Sequence, residues 1–332
     1  MIIDMHTHVV PESFPAPPGG SPGTAWPRMD RLDDGRAEMV IDGAVFRAFR
    51  DVCWDARSRA AELPSLGVDK QVLSPLPELL MYHLDPGRGA ALAHHLNEAI
   101  AAMVAEEPER FYGLGSVPLQ DVELAVAELD AIKRLGLHGV EIRTNLEGAD
   151  LGEQRFRPFF RRAEALGLAV FVHAYRPTFA DRLAHLPGAL GGATTGFPIE
   201  SGLAGASMIW GGLLEECPDL RLCMSHAGGV LVQLLARGED AYAKRKAVQE
   251  LLPHSPMDYA RRLYYDDLAF SIPSLRFVID SVGASQVMVG SDYQGQGPRD
   301  PGAEDEFDAL GLSRDEREGV GHRNARRFLG VA

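Results

Sequence analysis

The stretch IIDMHTHVV, residues 2–10, decides how the rest of the chain is read. It is short, apolar and β-branched, it stops at Pro11, and it carries His6 and His8 one residue apart. Successive side chains of a strand point to opposite faces, so both imidazoles face the same way. A continuous apolar run closed by a turn signal fits a strand buried on both faces, as in a parallel sheet. A lone histidine in such a strand is commonly a hydrogen-bonded core residue. Two adjacent buried imidazoles are harder to satisfy, and a shared metal ion would satisfy both.

Outward from this run, strand-like and helix-like segments alternate. DKQVLSP (69–75) predicts a strand and GAALAHHLNEAIAAMVAEEP (89–108) a helix. RFYGLGSVP (110–118) and DVELAVAELDAIKRLG (121–136) repeat the pair, as do GVEIRT (139–144) and a helix over roughly 153–166. LAVFVHAY (168–175) is read as a strand, followed by a loop and a helix over roughly 200–216. LRLCMSHAGG (220–229) is a strand running into a helix, RLYYDDLAF (262–270) a strand and IPSLRFVIDSVG (272–283) a helix. SQVMVGSDY (285–293) is the last strand. About eight β/α units in one chain predict an α/β fold, a (β/α)8 TIM barrel. A doubly wound sheet is the alternative, but no G-x-G-x-x-G follows the first strand.

One region breaks the alternation. PESFPAPPGGSPGTAWPRMDRLDDG (11–35) is rich in Pro and Gly and predicts irregular structure, with a small hairpin around EMVIDGAVFRAF (38–49). The expected organisation is a single barrel over 1–332, with residues 11–60 as an insertion or small subdomain after the first strand. Long insertions of this kind are usually functional.

Composition bounds the function. The chain has 332 residues, 45% hydrophobic and 24% charged, with a formal net charge of −14. That acidic balance argues against nucleic acid or an anionic membrane as partner. It does not exclude a small carboxylate substrate held in a local basic pocket. Cys53, Cys217 and Cys223 are scattered, which predicts reduced thiols rather than a disulfide framework. No signal-peptide pattern opens the chain and no run of 18 apolar residues occurs, so a cytoplasmic location is expected.

Active residues of such a barrel sit at the C-terminal ends of its strands. Those ends carry His6 and His8, His173 in FVHAY, His226 in MSHAGG and Asp292 in VGSDY. Histidines and an aspartate converging on one end predict a metal site with a base beside it.

These segments also carry a resemblance. DMHTHVVP (4–11), FVHAY (171–175), SHAGG (225–229) and VGSDY (289–293), in this order, resemble the amidohydrolase superfamily. Within its second amidohydrolase-related family, the chain is most similar to the metal-dependent decarboxylases typified by 2-amino-3-carboxymuconate-6-semialdehyde decarboxylase. SVPLQD (116–121), FRAFRDVCWD (46–55) and GHRNARRFLG (321–330) extend the likeness over nearly the whole chain. The resemblance implies one divalent metal ion per subunit, Zn2+ first and Mn2+ as the alternative, ligated by His6, His8, His173 and Asp292. It implies that His226 is general base and later general acid, with Asp292 sharing in catalysis. No lysine ends GVEIRT, which agrees with a single metal.

It further implies that Arg47 binds the substrate carboxylate and that Arg237 reaches the neighbouring site across a homodimer, a pairing suited to bidentate recognition. The implied activity is non-oxidative decarboxylation of a small unsaturated or aromatic carboxylic acid. Metal-acidified water and His226, whose ordinary pKa lies near neutrality, supply its proton transfers. The alternative is a Zn-dependent hydrolase or hydratase of an amide, lactone or ring-cleavage product in aromatic catabolism. A non-catalytic metal-binding scaffold would have no need of His226. The chain departs from the decarboxylase pattern at Gln294, Gly295 and Gln296, at Tyr175 and Arg176, and in the Gly-rich LPGALGGATTGFP (186–198). These are pocket-lining positions, so the resemblance leaves the substrate open.

Overall fold

The computed structural model describes residues 1–19, 26–187, 190–295 and 304–331. Eight parallel strands follow one another in chain order: β1 (Ile3–Val9), β2 (Lys70–Pro75), β3 (Phe111–Gly115), β4 (Gly139–Arg143), β5 (Ala169–His173), β6 (Leu222–Met224), β7 (Tyr264–Asp266) and β8 (Val287–Met288). Every residue of β1, β4 and β5 is buried, as expected for strands covered on both faces. The sheet curls until its ends meet. The Met5 amide donates to Val289 O at 2.8 Å, Asp292 N to His6 O at 2.9 Å and His8 N to Tyr293 O at 2.9 Å. The result is the (β/α)8 barrel that the alternation predicted.

Two apolar layers hold it. Inward-facing Met5, Val72, Leu114 and Phe171 fill the barrel, and Phe328 of the C-terminal helix Asn324–Leu329 packs against them. A larger layer lies between the strands and the outer helices, which include Pro86–Glu106, Val122–Arg134, Phe197–Trp210 and Leu231–Lys244. Asp85 and Asp121 cap the first two of these helices by accepting from the amides of Arg88 and Leu124. Among the described residues, no helix is long and apolar enough to cross a membrane.

Three strands are shorter than their apolar runs suggested. β6 ends at Met224, β7 at Asp266 and β8 at Met288. Beyond them the chain takes positive φ at His226 (54°), Ala227 (53°), Phe270 (55°) and Asp292 (55°). Non-glycine residues resist that region. Just beyond β8 only glycine fits at position 290, where a Cβ would stand 2.9 Å from His6 Cβ and 3.0 Å from Asp266 Cβ. β6 stops where the backbone turns to aim His226 into the barrel mouth, whereas past β8 single bonds to β1 continue as far as Tyr293.

The insertion is more regular than its Pro and Gly content suggested. Ala37–Ile41 and Ala44–Phe49 form the expected hairpin, turning at Asp42 and Gly43 with φ of 53° and 79°. Positive φ at both turn positions is the type I′ geometry that Asp-Gly favours. Arg28–Arg31, read as irregular, adds a third antiparallel strand through pairing with Ala37–Val40. Met39 and Phe49 pack on Leu76, Leu79 and Leu92, which fixes this sheet beside the C-terminal end of β2.

Candidate metal centre

His6 and His8 lie on β1, and His173 is the last residue of β5. Asp292 follows β8 by a short segment whose positive φ turns the carboxylate inward. All four are buried, and one ligand atom from each lies within 4.8 Å of the others. His6 Nε2 is 3.1 Å from His8 Nε2 and 3.0 Å from His173 Nε2. Asp292 Oδ1 is 3.1 Å from His8 Nε2 and 3.5 Å from His6 Nε2.

The opposite ring nitrogens reveal the protonation. His6 Nδ1 faces Asp266 Oδ2 at 2.7 Å, His8 Nδ1 faces Pro75 O at 3.1 Å and His173 Nδ1 faces Ala174 O at 2.9 Å. Each partner is an acceptor, so each Nδ1 carries a proton and each ring turns its Nε2 toward its neighbours. Burial lowers the pKa of His8, but Asp292 and Glu141 outweigh burial and raise it. Burial, reinforced by the other imidazoles, pushes His173 well below its ordinary pKa, and burial also lowers His6. Burial alone would raise Asp292, but the imidazoles of His6, His226 and His8 outweigh it and hold the carboxyl well below its usual range. Three converging lone pairs and a carboxylate repel one another unless a cation lies among them. The residues therefore fit a divalent transition metal with three nitrogen ligands and one oxygen.

His226 stands beside this set, just past the end of β6. Its Nε2 is 3.7 Å from Asp292 Oδ2, an ion-pair distance, and among the described residues neither buried ring nitrogen has a hydrogen-bond partner. Burial disfavours its charged form, but the Asp292 carboxylate and then Asp266 outweigh burial, and its pKa is raised. The ring stacks on Phe270, with centroids 6.2 Å apart.

Asp266, the last residue of β7, escaped the sequence reading. Its buried carboxylate accepts from His6 Nδ1, from His226 N at 2.9 Å, from Ala227 N at 2.8 Å and from Leu268 N at 3.1 Å. One side chain thus orients a metal-facing imidazole and holds the strained turn that presents His226. The available signal was its position: YYDD places an acidic residue at a strand end, as in the segments that were singled out.

His8, His173, His226 and Asp292 line a cavity of about 150 Å³ together with Glu78, Tyr175, Phe197 and Gly295. At Gly295 a Cβ would stand 1.9 Å from Asp292 Oδ1, so only glycine lets the backbone pass this close to the carboxylate. Glu78 is half-buried, and burial raises its pKa. Beneath the cluster Glu141 of β4 lies 3.8 Å from His8 Nδ1, and burial pushes its carboxyl up to about 7.

The two arginines sit elsewhere. Arg47 Nη1 donates to Gly295 O at 2.9 Å and Nη2 donates to Gln294 O, with the guanidinium over the Phe49 ring. Arg47 lines an adjoining cavity with Arg50, Glu62, Tyr293 and Gln294, one peptide away from the metal-side pocket. Arg237 is exposed on the helix Leu231–Lys244 and makes no ion pair among the described residues. Gln294 lies with Arg47, while Gly188, Ala189 and Gln296 fall outside the described residues.

The barrel and the buried His/Asp cluster at its mouth accord with one family. The amidohydrolase family profile matches residues 3–331, and the chain belongs to that family. It is 35% identical over 295 residues to the 2-amino-3-carboxymuconate-6-semialdehyde decarboxylase of Dictyostelium discoideum, covering 88% of this chain and 81% of that protein. It is 25% identical over 316 residues to the gamma-resorcylate decarboxylase of a Polaromonas species, covering 88% of this chain and 94% of the relative. The solved structure of 5-carboxyvanillate decarboxylase from Sphingomonas paucimobilis superposes with a TM-score of 0.73 at 27% identity, over 83% of each chain.

Proposed function

We propose that this protein is a metal-dependent, non-oxidative decarboxylase of a small unsaturated or aromatic carboxylic acid. The observation that carries the reading is the convergence of three Nε2 lone pairs and the Asp292 carboxylate beside an unpartnered His226. The decarboxylases among its relatives support the reaction type.

His6, His8, His173 and Asp292 would hold one ion, Zn2+ or Mn2+. When bound, the ion supplies Lewis acidity toward the substrate and a bound water. His226 holds a proton at Nε2 and delivers it to the carbon that loses CO2. The carbon–carboxylate bond breaks, its electron pair stays on that carbon, and the proton replaces CO2 there. Asp292 sets the basicity of His226 through its second oxygen. Phe197 and Tyr175 form the flanking walls of the pocket. The donors of Arg47 not used by Gln294 and Gly295 remain for the substrate carboxylate.

A homodimer with Arg237 reaching the partner's site completes the proposal. Ile199, Leu203 and Trp210 make one stripe along the helix Phe197–Trp210, exposed by 37, 42 and 37%, and Leu234 extends it. Trp210 packs against Gly238, next to Arg237. This partly exposed apolar stripe supports an interface there, and Leu203→Asp is expected to convert a sedimenting dimer to monomer. A dimer unaffected by that charge would remove this face from the proposal. The three buried, unpaired cysteines support a reducing, cytoplasmic location.

Turnover of carboxymuconate-type and hydroxybenzoate-type acids by metal-replete protein tests the reaction, reading CO2 release against incorporation of labelled water. CO2 formed in step with substrate loss is expected. Consumption with oxygen incorporation and no CO2 would make the protein a hydrolase or hydratase.

A further inference from the structure

We propose that Glu78 is a specificity subsite that accepts a hydrogen bond from an amino or hydroxyl group of the substrate; the proposal rests on the decarboxylase reading above and narrows its substrate class. Glu78 sits in the short turn Pro77–Leu79, immediately beyond the C-terminal end of β2. That turn is not a loose loop. Leu79 N donates to Leu76 O at 2.8 Å and Leu80 N to Pro77 O at 3.1 Å, while Leu79 and Leu80 are buried below. The backbone is therefore fixed, and Glu78 lines the same cavity as His8, His173, His226 and Asp292.

What singles Glu78 out is the lack of any partner from another residue. Among the described residues, no side chain or amide of another residue donates to its carboxylate, and no cation pairs with it. Arg47, the arginine whose charge acts on Glu78, is bonded to the carbonyls of Gln294 and Gly295. The other pocket carboxylate, Asp292, faces three imidazoles. An ionised carboxylate only accepts hydrogen bonds. Held half-buried in a small pocket, it favours a ligand that brings a donor and disfavours one that covers it with apolar surface. The apolar walls Leu76, Pro77 and Phe197 suit a flat conjugated body. The substrate class that follows is a planar carboxylic acid bearing at least one hydroxyl or amino group that meets Glu78.

The test uses hydroxy- and aminobenzoates, each paired with its O-methyl or N,N-dimethyl form, on metal-replete wild type, Glu78→Leu and Glu78→Gln. Dissociation constants are read by calorimetry and kcat/KM by CO2 release; metal content and thermal unfolding confirm that the variants are folded and loaded. For the pair whose donor meets Glu78, blocking it is expected to weaken binding and kcat/KM by about 10- to 100-fold in wild type. That preference should fall to near unity in E78L and be largely kept in E78Q, whose amide oxygen still accepts. Equal discrimination in wild type and E78L for every pair overturns the subsite. Loss in E78Q as complete as in E78L overturns the acceptor role of the carboxylate. Absence of CO2 from every acid would contradict the decarboxylase reading alone, because the calorimetric comparison still decides the role of Glu78.

Discussion

Replacing Asp266 by Asn should uncouple the metal centre from its base. Oδ2 of Asp266 accepts from His6 Nδ1 and His226 N, and Oδ1 accepts from the amides of Ala227 and Leu268. An amide keeps one of these oxygens and turns the other into a donor. Whichever way Asn is oriented, two buried N–H groups lose their acceptor. Each unsatisfied buried donor costs about 1–3 kcal/mol, so the variant should lose about 2–6 kcal/mol. That is a large part of the 5–15 or so kcal/mol typical of a folded domain. Either His226 or Ala227 would also keep its positive φ without the bond that holds it. Loss of a ligand's outer partner lowers metal affinity by about 10- to 100-fold. Urea unfolding measures the first effect and competition with a chromogenic chelator the second. Stability within about 0.5 kcal/mol of wild type, the range of an inert surface change, with unaltered metal affinity would refute the reasoning.

Three further outcomes follow from the same geometry. His226→Ala should retain the metal and lose activity, whereas His6→Ala should lose the metal; elemental analysis of both proteins decides, and equal metal loss would contradict the assigned roles. In the metal-free protein Glu141 has a folded pKa raised by burial from 4.5 to about 7, so the folded state holds this proton more tightly than the unfolded one. Stability should fall as pH rises from about 4.5 through about 7 and then level off, a loss on the order of 3 kcal/mol. Glu141→Gln should flatten that part of the pH–stability curve in chelator-treated protein, and an unchanged slope would contradict the assignment.

Much of this was readable before any coordinates. Alternation of apolar strands with amphipathic helices is a local signal, and barrel order then places His6, His8, His173, His226 and Asp292 at one end. What stayed hidden depends on distances between remote segments. Asp266 looks like any acidic residue at a strand end until its carboxylate is seen against an imidazole 260 positions away. Arg28–Arg31 has no strand pattern of its own and is regular because Ala37–Val40 pairs with it. The positive φ values of His226, Phe270 and Asp292, in the segments past β6, β7 and β8, are conformations that no propensity anticipates. Glu78 reads in sequence as an ordinary solvated glutamate after a strand, and only the pocket it shares with His8, His173, His226 and Asp292 sets it apart.

The account rests on one ion held by His6, His8, His173 and Asp292. Its most direct test is the rate of CO2 release as metal-free protein is titrated with Zn2+ or Mn2+. The account predicts no activity without metal and a linear rise to a plateau at one bound ion per subunit. Turnover that persists in fully chelated protein, or that requires a second ion, would contradict it.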